Sequence, residues 1–338
     1  MKVAKRRGRS ASVKITDVAT AAGVAPMTVS RVLNSPERVT AATAERVRAA
    51  IERLGYVPNL IAGGLSSRRS RMIAAIVPTI ASPMFSAPVQ AFTDTMNLAG
   101  YHVLLGLSGY GNGDTECELL RAVLARRPDG LLLTGAVHPP AVARLLRDAA
   151  VPVVEIWDAA ATPTDMLVGF DHAEIGAAVA DFFADRGHTQ FAVMVASDPR
   201  AALRRQGFVD RLARRGGRLL AEHTLPPPGR IADGRAGLRA MLPALGPRTA
   251  LFCGSDPVAF GAVTEARVQG IAVPARVAVC GFGDFELAQE SEPPITSVSI
   301  DGAAMGRLAA GNLLARLSGG QPPARVLVPF RIIPRATT

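Results

Sequence analysis

Cysteine is scarce in this chain. Its three, Cys117, Cys253 and Cys280, are odd in number and far apart. That pattern argues against a disulfide framework, and buried, reduced thiols are expected, since Cys253 and Cys280 lie in apolar runs. The five histidines never approach metal-ligand spacing, so neither a metal site nor any other cofactor is expected. No run of about 18 apolar residues occurs, which excludes a membrane-spanning helix. The opening "MKVAKRRGRS" is basic but no apolar stretch follows it, so a secretory signal is not expected and a cytoplasmic protein is. Catalytic signatures are missing too. There is no G-x-G-x-x-G after the first strand pattern, no G-x-x-x-x-G-K-[ST] and no G-x-S-x-G. The pair Asp171–His172 has no nucleophile near it in sequence and reads as structural or ligand-touching. An enzyme is therefore not expected.

Acidic residues are missing from one place only. Residues 1–71 carry 14 Lys and Arg against 4 Asp and Glu, and the other residues hold 24 of each sign. The whole excess of +10 lies in the first fifth of the 338-residue chain. Charge so localised on a helical unit marks a polyanion partner rather than a generally solubilised surface.

The helical unit is legible. In "ITDVATAAG", Ile15, Val18, Ala19 and Ala22 make one apolar stripe, and Gly23 ends the helix. "APMTVSRVLN" restarts with Pro26 in the first turn. Val29, Val32 and Leu33 are predicted to face inward with Val24, leaving Met27, Thr28, Ser30, Arg31 and Asn34 outside. Thr40 is the predicted N-cap of a third helix whose stripe is Val47, Ala50, Ile51 and Leu54. Helix, Gly-containing turn, then a helix with polar residues near its start describes a helix-turn-helix, although a plain three-helix bundle has the same pattern.

The wording is more specific than the pattern. "ITDVATAAGVAPMTVSRVLN" followed by "RVTAATAERVRAAIERLGYVPN" resembles the DNA-binding head of the LacI family of bacterial repressors, and the resemblance runs through nearly the whole chain. It implies that Pro26, Met27 and Arg31 stand at base-reading positions, with Arg38 at a further one. It places Thr28, Ser30, Asn34 and Thr40 at phosphates, with Ile15 and Asn59 also at the DNA. Pro26 departs from many relatives, which carry a longer polar or aromatic residue there; its ring can touch a thymine methyl but cannot hydrogen-bond a base. In "YVPNLIAGGLSSRRSR", the family's short hinge helix would put Leu65 into the minor groove as a wedge, with Ala62 one turn earlier. Gly63 and Gly64 each weaken that helix by up to ~1 kcal/mol relative to Ala, so it is expected to fold only on DNA. Arg68, Arg69 and Arg71 are expected to add phosphate contacts.

From residue 72 the texture changes. "MIAAIVP", "HVLLGL", "DGLLLT", "PVVEI", "FAVMVA", "ALFCG", "VAVCGF" and "SVSI" are short apolar runs separated by helical stretches, the mark of parallel sheets in an α/β fold. The series breaks near residues 158–170, suggesting two lobes, and the family likeness implies a doubly wound, periplasmic-binding-protein-like core. The expected division is a helix-turn-helix head at 1–57, a hinge at 58–71 and a core at 72–338. Its N-lobe covers about 72–166 and 301–322, its C-lobe about 167–300 and 323–338, with crossings near 160–168, 290–300 and 320–324.

Ligands of open α/β sheets bind outside the carboxyl ends of the strands. Those ends nominate Ile80, Met84 and Phe85 in "IASPMF", and Trp157, the only Trp, with Asp158 in "EIWD". A core-packed Trp is the competing reading. The resemblance implies that Arg204 anchors an effector, that Ser255 and Asp256 in "FCGSDPVAFG" reach the cleft, and that Asp284 in "GFGDFE" stays beside it. Ser255 and Gly283 replace longer polar side chains of many relatives, which weakens the case for a neutral hexose. "PMTVSR", "LSGYGNGDTE", "VPVVEIWD" and "LVGFDH" look most like the gluconate-utilisation repressor branch, so gluconate or a related sugar acid is the expected effector. A neutral sugar, a phosphosugar or a nucleoside remains open. A solute-binding protein shares the core but would need a signal peptide and no basic head. The expectation is a homodimer on a near-palindromic DNA operator, controlled by a small-molecule effector and without a membrane partner. "FRIIPRATT" closes the sequence with no heptad tail, which favours a dimer over a tetramer.

Overall fold

The computed structural model describes residues 13–57, 70–111, 113–135, 138–159 and 162–338. The chain divides into two compact units, residues 1–70 and 71–338. Pro58, Asn59, Ala62, Gly63, Gly64, Leu65, Arg68 and Arg69 lie outside the described residues, and with them the hinge expectation.

The first unit holds α1 (Ile15–Ala22), α2 (Pro26–Asn34), a 3-10 turn (Pro36–Arg38) and α3 (Ala41–Leu54). Val18, Ala19, Ala22, Val29, Val32, Ala44, Val47 and Ala50 form its core. Their three- and four-residue spacing puts them on the facing sides of the helices. Gly23 ends α1 at φ +64, a left-handed backbone that glycine takes without strain. Leu33 departs from expectation. It is 36% exposed, because the inward stripe of α2 is completed by Val29 and Val32. Thr40 occupies the N-cap of α3, but its hydroxyl pairs with that of Thr43 at 3.0 Å instead of capping the backbone.

The second unit carries two six-stranded sheets. The strands are β1 (Met72–Val77), β2 (His102–Leu107), β3 (Gly130–Thr134), β4 (Val153–Ile156), β5 (Met166–Gly169), β6 (Gln190–Ala196), β7 (Arg218–Leu225), β8 (Thr249–Cys253), β9 (Val277–Gly283), β10 (Thr296–Ile300), β11 (Arg325–Leu327) and β12 (Phe330–Ile333). The first sheet runs β11-β5-β4-β3-β1-β2 and the second β12-β10-β9-β8-β6-β7. All described pairings are parallel except β12 on β10, so the expected parallel sheet has one antiparallel edge. Central strands such as β1, β3 and β8 are buried along nearly their whole length because helices cover both faces, which is why they read as unbroken apolar runs.

The helices between them are α4 (Pro83–Leu98), α5 (Asp114–Leu124), α6 (Pro140–Ala149), α7 (His172–Ala184), α8 (Pro199–Arg214), α9 (Ile231–Met241), α10 (Asp256–Val268), α11 (Glu286–Gln289) and α12 (Gly302–Leu317). The lobe boundaries need correction. β5 and β11 both belong to the first sheet, since β11 pairs with β5 in register Arg325↔Leu167 to Leu327↔Gly169. The first lobe therefore extends to residue 169 and takes back residues 325–327, and the crossings fall just after Gly169, between Ile300 and Gly302, and between Leu327 and Phe330. α12 returns to the first lobe and packs on α4, close enough that a Cβ at Gly306 would strike the Pro88 carbonyl.

Candidate functional site

In the first unit, Pro26, Met27 and Arg31 are exposed on α2, Met27 at 64%. Thr28 and Ser30 are half-buried beside them. Ile15 is half-buried against the helical core, and the Asn34 side chain lies outside what is described. Arg38 is exposed and 3.8 Å from Glu37, a surface pair that holds it only weakly. Met27 and Arg31 thus share one uncovered surface of a helix narrow enough for a major groove about 12 Å wide. Arg71 behaves differently from the expectation of a phosphate contact. It belongs to the second unit, where its guanidinium stacks 5.1 Å over the Tyr101 ring and its N–H donates to Asp129 at 2.9 Å.

In the second unit, strand ends from both lobes surround a central cavity of about 30 Å³, lined by Met84, Phe85, Trp157, Arg204 and Ser255 among others. Larger spaces of about 500 and 620 Å³ flank it, and Tyr110 borders all three. Trp157 is 3% exposed and packed edge-on against Phe85 at 5.7 Å and Phe170 at 5.2 Å, as the core reading expects, and it also lines the central cavity. Its backbone is left-handed at φ +76, a conformation costing a bulky residue ~1–3 kcal/mol. Gly169 permits that turn, because a Cβ there would run into the backbone of Asp158.

Arg204 is buried in α8. Its guanidinium carbon lies 4.1 Å from the Phe282 ring centroid, Nη1 is 2.9 Å from His172 Nδ1, and Nη2 donates to the Gly254 carbonyl at 3.2 Å. An arginine only donates, so His172 Nδ1 must accept. The ring proton then sits on Nε2 and donates to the Trp157 carbonyl at 2.9 Å. Burial, reinforced by the Arg204 charge, holds the pKa of His172 well below that of an ordinary histidine, which keeps it in this neutral form. Burial also draws Arg204 down to about 10, still far above neutrality. α7 and α8 cross without side chains at Gly176 and Gly207, where a Cβ would collide with the Arg204 and Ala173 carbonyls respectively. That close crossing sets Arg204 beside His172. Asp171 is the N-cap of α7, accepting from Ala173 and Glu174 N–H.

Three buried polar atoms in this wall have no hydrogen-bond partner among the described residues: Trp157 Nε1, Arg204 Nε and Ser255 Oγ. Buried polar groups are almost always paired, so these three atoms, on residues that line one cavity, are groups that a water or a polar ligand can satisfy.

Not every nominated residue arrives there. Ile80 is 68% exposed, turned outward by a loop in which Thr79 Oγ1 accepts from Ala81 N–H at 3.0 Å. Asp256 is fully buried. Its oxygens accept from Ser297 Oγ at 2.5 Å and Phe285 N–H at 2.8 Å, tying α10 to β10 and to the loop after β9, and burial raises its pKa to about 6. Asp284, at φ +55, is paired with Arg335 at 2.6 Å and lines none of the three spaces. Asp158 faces the 500 Å³ space rather than the central one, with its Oδ1 on Ala159 N–H at 2.8 Å. Tyr110, Asp198 and Arg200 line the central cavity without having been nominated. The strand-end rule would have found two of them, since "SDPR" directly follows β6. Cys117, Cys253 and Cys280 are buried free thiols, and among the described residues no group of His, Cys, Asp and Glu could hold a metal. Nor is any described helix long and apolar enough to cross a membrane.

Residues 14–59 match the family described as bacterial regulatory proteins, lacI family, and residues 180–338 match the periplasmic binding protein-like domain. The chain is 30% identical to the HTH-type transcriptional regulator GntR of Escherichia coli K12 over 316 residues, covering 93% of this chain and 94% of that one. A crystal structure of a LacI-family transcriptional regulator from Silicibacter pomeroyi superposes with a TM-score of 0.90 at 30% identity, over 96% of this chain and 99% of that one. The lac repressor dimer bound to operator and the anti-inducer ONPF superposes with a TM-score of 0.83 at 25% identity, over 97% and 99% of the two chains.

Proposed function

The chain belongs to the lacI family of bacterial transcriptional regulators, and from that premise we propose that it represses from a near-palindromic operator under control of a sugar acid, gluconate or a close relative, bound between its core lobes. The three unpartnered polar atoms on the central cavity carry the effector half of this reading. Trp157 Nε1 offers a donor to a hydroxyl, Ser255 Oγ a donor and an acceptor, and Arg204 a cation whose remaining N–H groups suit an acid group. The exposed face of α2, with Arg31 and Met27, carries the DNA half, and base-edge recognition by Arg is the commonest specific contact.

A homodimer fits the outer edge of the first sheet. Leu104, Leu105 and Leu107 on edge strand β2 are 42%, 42% and 47% exposed, and nearby Leu98 is 92% exposed. An uncovered apolar edge of this kind is a template for association, and a second copy covers it symmetrically.

The test is operator binding of the full chain, on a sequence selected from random duplexes, titrated with gluconate, ketogluconates, glucose, glucose 6-phosphate and nucleosides. Gluconate or a ketogluconate is expected to change operator affinity, and Arg204→Lys to blunt that response. Arg31→Ala is expected to weaken specific binding by ~1–3 kcal/mol and to relax base preference. A response confined to neutral sugars or nucleosides would discard the sugar acid while leaving the regulator in place.

A further inference from the structure

Arg200 has no role in the reading above, yet its side chain reaches from one lobe into the other. It lies in the first turn of α8, in the second lobe, where Asp198 accepts its backbone N–H at 3.1 Å. Its Nη2 reaches into the first lobe and donates to the Thr134 carbonyl at 2.8 Å, at the end of β3. That is the one hydrogen bond its guanidinium makes among the described residues. The seat is shaped for it: Gly135, at φ +101, leaves open the volume that Nη2 fills, and a Cβ there would collide with it.

Two guanidiniums therefore border the central cavity, and they are held differently. Arg204 is stacked on Phe282 and bonded through both terminal nitrogens. Arg200 is bonded once, and it faces both the central cavity and the 500 Å³ space. A carboxylate is best met by two parallel N–H donors of one guanidinium fork. Arg204 keeps three of its five N–H groups, but both of its terminal nitrogens are already tied to His172 and the Gly254 carbonyl. Arg200 keeps most of its five.

We propose that Arg200 is a second acid-binding residue of this cleft, taking the effector's carboxylate on its uncommitted N–H groups, so that the side chain bonded to Thr134 across the lobes couples ligand binding to the lobe arrangement. This rests on the sugar-acid reading. It adds that the ligand's acid group lies toward the β3 end of the cleft, between the two arginines.

The probe is built in, because Trp157 is the only Trp and lines the same cavity. Its fluorescence in the full-length protein is titrated with gluconate, glucose and glucose 6-phosphate, for wild type, Arg200→Gln and Arg200→Lys, with ligand-free melting temperatures alongside. Arg200→Gln is expected to weaken gluconate about ten-fold or more while leaving the ligand-free melting temperature near that of wild type. Arg200→Lys keeps the charge but not the fork, and is expected to stay at least about five-fold weaker than wild type. If Arg200→Gln fails to fold, the Lys variant alone decides. Gluconate binding within about two-fold of wild type in the folded variants overturns the assignment of Arg200 and leaves the sugar-acid reading standing. A wild type that answers only to glucose overturns the sugar-acid reading, and Arg200 falls with it. A wild type that prefers glucose 6-phosphate overturns the carboxylate as Arg200's partner.

Discussion

His172 does two jobs that substitution can separate. Its Nδ1 accepts from Arg204 and its Nε2–H donates to the Trp157 carbonyl, both at 2.9 Å. His172→Phe keeps the edge-on packing against Phe170, now 4.8 Å between ring centres, and removes both bonds. Losing the acceptor for a buried guanidinium costs ~1.5–3 kcal/mol, and leaving the Trp157 carbonyl unsatisfied adds ~1 kcal/mol or more. A destabilisation of about 3 kcal/mol is therefore expected for Phe. His172→Asn places its amide oxygen near the Nδ1 position and keeps the Arg204 contact. It should lose about 1 kcal/mol and hold gluconate affinity within about three-fold. His172→Gln reaches instead toward Trp157 and frees Arg204, so gluconate should weaken about ten-fold. Urea unfolding and Trp157 fluorescence titration measure the two effects on the same samples. The contact also carries a pH signature. A protonated His172 cannot accept from Arg204, and its folded pKa lies well below the ordinary 6.5. The unfolded chain then takes up the proton first, so this contribution is whole above pH 6.5 and is lost as pH falls toward the folded value. Three variants with unfolding within about 0.5 kcal/mol of wild type and unchanged gluconate affinity would refute the relay.

Gly207→Ala tests the helix crossing that places Arg204. In an open helix the change would gain ~1 kcal/mol, but here the new methyl meets the Ala173 carbonyl, and a net loss of ~1–3 kcal/mol with weakened gluconate binding is expected. Increased stability by urea unfolding would mean that α7 and α8 are not so tightly apposed. His138 has the opposite pH sense to His172. Burial opposes its charge, but hydrogen bonds that its ring donates to Glu116 at 3.1 Å and Glu155 at 3.2 Å outweigh burial and raise its pKa to about 9. A raised folded pKa contributes stability below about pH 6.5 that is lost as pH rises through about 9, an effect of ~3 kcal/mol in all. Glu116→Gln should flatten the alkaline limb of a urea-midpoint profile, and an unchanged limb would remove His138 from the account.

How much of this was legible in the sequence follows from what fixes each feature. Eight apolar runs announced eight strands: most are covered on both faces and cannot hide among polar residues, and β2 is an exposed edge that is apolar all the same. The unannounced strands lack that signature for different reasons. β7, "RLLAEHTL", lies on an edge, half-exposed, with charges at Arg218 and Glu222. β11 and β12 are three and four residues long. β5 is four buried residues, too short for periodicity to register. The misplaced lobe boundaries share that cause, since β5 and β11 take their lobe from the partner they pair with, and register between residues 167 and 325 leaves no local trace. In the site, the strand-end rule supplies position but not direction. It found Trp157, Phe85 and Met84, which line the cavity, as does Ser255, which the resemblance supplied. The resemblance nominated Asp284, which Arg335 draws away from 51 residues downstream. The resemblance nominated Asp256, which Ser297 and Phe285 draw away from 41 and 29 residues downstream. The left-handed turn at Trp157 had no local signal, for it depends on the missing Cβ of Gly169.

The size of the central cavity bears on the switch itself. About 30 Å³ admits only a few water-sized groups, too little for a whole sugar acid, although spaces of about 500 and 620 Å³ flank it. A sugar acid that touches Arg204, Trp157 and Ser255 together must therefore part the walls that carry them. Those walls belong to both lobes: Phe85 and Trp157 come from the first, Arg204 and Ser255 from the second. The lobe arrangement that binds the ligand is thus not the one described, and a ligand moves such an equilibrium only by the difference in its affinity for the two arrangements. In this cleft the difference is imposed by volume and by charge. The narrow state leaves Trp157 Nε1, Arg204 Nε and Ser255 Oγ without partners, and the wider state can satisfy all three through the ligand. Each such bond, at ~1–3 kcal/mol for a buried group otherwise left unpaired, adds to the bias. Three of them sum to ~3–9 kcal/mol, a range that spans the ~5.5 kcal/mol needed to carry a two-state equilibrium from 1:99 to 99:1.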